Sequence, residues 1–190
     1  METTMNETLL YFSRHNVWAN KTLLDACTTL SPAQLTRPAD AAFGSIIETL
    51  NHVVNSDGAF LSSLGGRPAT WVAETERELA KYPESWKNED ARVTIVGLDE
   101  LAVRIDEAER LWDAFFATEE FDAERVSVLD LGTYECRSGI VMAQVFHHGS
   151  VHREQVCAML TGLGVEPPDL QPWALADATG LSRFVGGRTS

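Results

Sequence analysis

The chain has 190 residues, 44% of them hydrophobic, and 15 Lys and Arg against 28 Asp and Glu give it a formal net charge of −13. Such a chain suits a single domain over 1–190 with a substantial core, and its charge repels phosphate backbones and anionic surfaces, so neither nucleic acid nor a membrane is expected as a partner. No run approaches the roughly 20 apolar residues of a membrane helix, Met1 is followed by Glu2 rather than a basic leader, and Cys27, Cys136 and Cys157 are too scattered for a disulfide framework, which together predict a cytoplasmic, reducing location.

The first helical pattern runs from about Asn6 to Thr29, with Leu9, Phe12, Val17, Leu23, Leu24 and Cys27 among its apolar positions. SPAQL then turns the chain into another short helical piece. A second long helix is predicted from Ser45, where Ser45 and Glu48 make an S-x-x-E capping box, to the stop at Gly65 and Gly66. Residues 67–97 are less regular, with Pro68, Pro83 and a charged middle, and read as a crossover or lid with one short helix near Val72 to Ala80.

A third long helix over about Asp99 to Thr118 places Leu101, Ile105, Ala108, Leu111, Trp112, Phe115 and Phe116 toward a core. Residues 124–137 alternate around Leu131 and Gly132 and predict a two-stranded hairpin. The fourth long helix follows, with Ser138 as its expected cap and apolar residues from Ile140 to Leu163 ahead of Gly164. Beyond it the prolines of VEPPDLQP allow only a short helical turn over Trp173 to Ala178, and the closing GGRTS is expected to fray. Four long helices with extended connections after the second and third point to an all-α fold, a four-helix bundle with a small β-hairpin before the fourth helix.

Chemistry concentrates in HHGSVHREQ, residues 147–155. His148 and His152 stand four apart, so a helix brings both imidazoles to one face. Gln144 and Gln155 extend that polar column beside an apolar stripe, where each group needs a partner. Such pairs also occur as solvated or hydrogen-bonded core histidines, and spacing alone does not decide. A third histidine, His52, lies in the second long helix, and three ligands from two helices would leave a position open for water or substrate. Neither His52, His148 nor His152 has a glutamate three residues before it, which disfavours a carboxylate-bridged di-iron site and favours a mononuclear one.

YFSRHNVWANKTLLDAC in the first helix, LNHVVNSD in the second and FHHGSVHREQVCAMLTGLGVEPPD in the fourth together resemble the DinB/YfiT-like superfamily of bacterial metal-binding bundles. The resemblance covers most of the chain and is most specific in the HG(S/T)xHRxQ stretch with its following LxxLG. It implies that His52, His148 and His152 are the metal ligands. Many members carry a histidine directly before the second fourth-helix ligand, where this chain has Val151; His147 precedes the first ligand and reads as a surface or supporting residue. The resemblance also implies a homodimer.

The superfamily is similar in fold to mycothiol-dependent maleylpyruvate isomerase, bacillithiol S-transferases and metal-dependent hydrolases, and includes proteins named only for induction by DNA damage. The reading it supports is a metal-dependent enzyme that activates a low-molecular-weight thiol or water toward a small-molecule substrate. A hydrolase, or a stress-induced metal-binding bundle without turnover, is the alternative. Three imidazoles suit zinc, nickel, copper and iron alike, with zinc favoured for abundance and nickel next. Asn55, Gln144 and Gln155 are candidates to orient an imidazole, Glu48 and Asp57 to close a fourth position, and Arg153 to tie helices through an acidic partner. Trp18 and Asn20 are assigned no catalytic role, and Cys136 and Cys157 are read as structural thiols.

Overall fold

A computed structural model describes residues 5–39, 43–79, 94–118, 121–129 and 134–183. The first helix, α1 (Met5–Cys27), buries Asn16, Val17, Asn20, Leu23, Leu24 and Cys27, a spacing of three and four residues that keeps one face inward. One turn of helix follows as α2 (Pro32–Leu35), opened by a Ser31/Gln34 capping box with proline in its first turn. The helix α3 (Ile46–Ser63) starts at the predicted box: Ser45 Oγ accepts from the Glu48 amide, and the Glu48 carboxylate accepts from the Ser45 amide at 2.7 Å. Gly44 makes this closure possible, because at φ +77° a Cβ would stand 2.6 Å from Glu48 Oε2. At the other end Gly65 adopts φ +84° and the Gly66 amide returns to the Leu61 carbonyl, satisfying carbonyls that the helix leaves open.

The crossover carries α4 (Thr70–Leu79), two residues earlier at its start than the sequence suggests. The reason lies in tertiary contact: the Thr70 amide and hydroxyl both donate to Glu107 Oε1 on α5 (Leu98–Thr118). Trp71 and Val72 pack onto Gly58, where a Cβ would be 2.9 Å from the indole. Strands β1 (Val126–Leu129) and β2 (Tyr134–Arg137) form the predicted antiparallel hairpin, pairing Val126 with Arg137 and Leu129 with Tyr134. Leu131 and Gly132, Ala80, and the closing GGRTS lie outside the described residues.

The last long helix is α6 (Ser138–Gly162), followed by α7 (Pro172–Ala178). Ser138 is the first residue of α6 rather than its cap; Arg137 takes that place without a side-chain bond, and the buried Ser138 hydroxyl pairs with that of Ser127 on β1 at 2.8 Å. The hairpin has drawn the serine inward, where a hydroxyl partner replaces the backbone amide it would otherwise cap.

Contacts among the long helices place α1 beside α5 and α6, and α3 beside the same two, so α1 faces α3 and α5 faces α6 across the bundle. Leu23, Ile46, Leu61, Leu64, Leu101, Trp112, Val156 and Leu160 are fully buried between them. Each large side chain so removed from water contributes about 1.5–3 kcal/mol. Trp112 stacks on Phe116 with ring centroids 5.8 Å apart, and Phe115 meets Phe116 edge to face. This apolar packing fixes α3 and α6 side by side, the pair that carries the histidines.

Candidate metal centre

His52 on α3 and His148 and His152 on α6 converge: one ring nitrogen from each lies within 4.8 Å of the other two, and all three side chains are half-buried. His148 Nε2 and His52 Nε2 are 2.9 Å apart. Two nitrogens at that distance share one proton, one ring donating and the other accepting. Nitrogens bound about 2.0–2.1 Å from one zinc ion stand roughly 3 Å apart, so the shared proton occupies a place that suits a cation. The three-nitrogen donor set therefore fits a divalent ion such as zinc or nickel.

The surroundings keep His148 uncharged and orient its neighbours. Burial, then the neighbouring His52 and His152, and further His147 and Arg153, push His148 down to about 4, so at neutral pH it is a lone-pair donor rather than a cation. Gln155 Oε1 accepts from His152 Nδ1–H at 2.7 Å, which leaves His152 Nε2 with its lone pair free to act as donor to an ion. Phe43, immediately before the α3 capping turn, stacks on His52 with centroids 3.9 Å apart and meets His152 edge-on at 5.8 Å. Phe60 presents its edge to His148 at 5.6 Å. The Thr49 hydroxyl donates to the Phe43 backbone carbonyl at 3.0 Å and holds Phe43 over the site.

Among the supporting residues expected from sequence, Gln155 takes the role foreseen for it. Asn55 does not: its Oδ1 accepts from Arg104 Nη1 at 2.9 Å, which turns the amide toward α5 and leaves Nδ2 buried without a partner. Gln144 and His147 are exposed. Neither acidic candidate closes a fourth position, since the Glu48 carboxylate is engaged with Ser45 and Asp57 accepts from Asn16 Nδ2 and Trp112 Nε1 at 2.9 and 3.0 Å. Arg153 does tie helices, through amides first: Nη1 donates to Asn16 Oδ1 at 2.6 Å and Asn20 Oδ1 at 2.9 Å, with the Asp57 carboxylate beyond Asn16. Cys157 and Cys27 are buried thiols, pushed up to about 11 and about 12 by desolvation first, which makes them inert near neutral pH.

Phe43, Phe60 and Asn16 escaped the sequence reading. An aromatic two residues before a capping box and an asparagine four before Asn20 were the available signals, and neither identifies a partner on another helix.

A helical bundle with three half-buried imidazoles from adjacent helices defines the class of small helical proteins with a histidine cluster able to hold an ion. The DinB family model matches residues 3–181, and the chain belongs to that family. A search of curated proteins returned no match. Among the described residues no helix is long and apolar enough to cross a membrane.

Proposed function

We propose that the chain binds one divalent metal ion, zinc or nickel, through His52, His148 and His152, and serves as a metal-dependent enzyme that activates a low-molecular-weight thiol or water toward a small electrophile. The observation that carries this reading is the convergence of three ring nitrogens from α3 and α6, two of them 2.9 Å apart. A bound ion would lower the pKa of a thiol or water so that the anion is available near neutral pH. The chain's own residues supply the rest. Gln155 fixes the tautomer of His152. Phe43 stacks on His52 and Phe60 meets His148 edge-on, and together they offer an apolar wall to an electrophile. Glu48 is engaged with Ser45, and Asp57 with Asn16 and Trp112, which leaves a fourth position for a reactant.

Elemental analysis of protein prepared without a metal-binding tag tests this, beside His52→Ala and His148→Ala. About one equivalent of zinc or nickel in the wild type, lost in both variants, is the expected result. Metal retained in both variants, or absent after reconstitution of the wild type, overturns it. Thiol consumption in the presence of alkylating and epoxide electrophiles, with and without added metal, then separates thiol transfer from hydrolysis.

A further inference from the structure

The molecule holds a second polar constellation, wholly buried, that no part of the proposed chemistry uses. Arg153 of α6 donates through Nη1 to Asn16 and Asn20 of α1, Asn16 Nδ2 donates to Asp57 Oδ1 of α3, and Trp112 Nε1 of α5 donates to Asp57 Oδ2. The chain of bonds therefore touches every long helix and spans the bundle from α6 to α3. Arg153, Asn16, Asn20, Asp57 and Trp112 are each at most 5% exposed.

Its Arg153 end lies against the histidine turn of α6. Arg153 directly follows His152, and its Nη2 reaches Ser150 Oγ, between His148 and His152, at 3.4 Å. Gly149, next to His148, is the place of closest approach: a Cβ there would sit 2.5 Å from Asn16 Oδ1 and 2.8 Å from Arg153 Nη1. Asn16, Asp57, His148 and Gly149 also line one small pocket with Val53 and Phe60. The network is thus packed closely against the backbone between the two α6 histidines.

We propose that the Arg153–Asn16/Asn20–Asp57–Trp112 network is a positioning device that sets the register and separation of α3 and α6 so that the three imidazoles converge. Asn16 is its centre, accepting from Arg153 and donating to Asp57, so displacement of either ligand helix is transmitted to the other through directed bonds. Apolar packing tolerates small sliding; paired amides and a guanidinium do not. The proposal rests on the metal reading for its purpose, while its structural content can be read in metal-free protein.

The experiment uses two mild variants, Trp112→Phe and Asn20→Ala, with Asn20→Asp as the conservative rescue and Leu64→Ala, at the C-terminal end of α3 and outside the network, as a core control. Co²⁺ titration gives affinity, and long-range ¹H–¹⁵N spectra of the metal-free protein report the three imidazole environments. Weakening of Co²⁺ binding by about tenfold or more in Trp112→Phe and Asn20→Ala is expected, with shifted imidazole signals. Recovery in Asn20→Asp and wild-type behaviour in Leu64→Ala, despite its lower Tm, complete the expected pattern. Affinities within roughly twofold of wild type with unmoved imidazole signals overturn the proposal, as does an equal loss in Leu64→Ala. Should wild-type protein bind no Co²⁺, the metal reading falls and the imidazole spectra alone decide between positioning and mere packing.

Discussion

The two polar clusters of this bundle differ in how they are satisfied. The Arg153, Asn16, Asn20, Asp57 and Trp112 network is sealed, and its principal donors and acceptors find one another at 2.6–3.0 Å. The histidine triad is half-buried, and two of its nitrogens face each other at 2.9 Å with a single proton between them. Buried polar groups that are fully paired hold a structure together; polar groups that converge on a common point leave something for a ligand to do.

Breaking the sealed cluster should have the largest effect. Asp57→Ala strands the Asn16 amide and the Trp112 indole and removes the anion nearest the buried Arg153, so a loss of about 3–5 kcal/mol in urea unfolding of metal-free protein is expected. A loss below about 1 kcal/mol would show that the network is not a stabilising element. The triad should behave in the opposite sense, gaining stability only with its ligand: zinc at about 100 times its Kd should raise wild-type stability by about 2.7 kcal/mol. His148→Ala should abolish that gain, and a gain preserved in the variant would place the ion elsewhere.

Acid sharpens the contrast, because the two clusters titrate with opposite signs. His148 is held down at about 4 against an ordinary 6.5, so its contribution to metal-free stability is whole above 6.5 and is lost as pH falls toward 4. Asp57 is pushed up to about 6 from 3.8, chiefly by burial and against the pull of Trp112, Arg153 and Asn16. The proton-linked part of its contribution is present below 3.8 and is lost as pH rises through 6, while its bonds to Asn16 and Trp112 remain. Urea midpoints measured from pH 7.5 to 4.5 should therefore show His148→Ala gaining on the wild type as pH falls, and parallel curves would contradict the assignment. The smallest effect is expected from Gln155→Ala. Freeing His152 Nδ1 should weaken metal binding about tenfold while leaving the metal-free Tm within a degree or two.

Much of this was legible in the chain because it depends on local spacing. The Ser45/Glu48 capping box and the glycines after α3 fixed that helix at both ends, and the i, i+4 step put His148 and His152 on one face whatever else they met. Where prediction departed from structure, a partner distant in sequence was responsible. Ser138 gave up its expected cap for Ser127, Asn55 turned to Arg104, and Thr70 began α4 early because Glu107 received it.

Helical periodicity, capping residues and the three-part histidine pattern were thus determined by the sequence itself, through interactions that close within one or two turns. The tertiary structure alone decided that His52 meets His148 across 96 residues of chain, that Phe43 covers the site, and that Arg153 reaches Asp57 by way of Asn16. A side chain's face follows from the period of its own helix, but its partner follows from how the helices pack, and packing is set by the whole core at once.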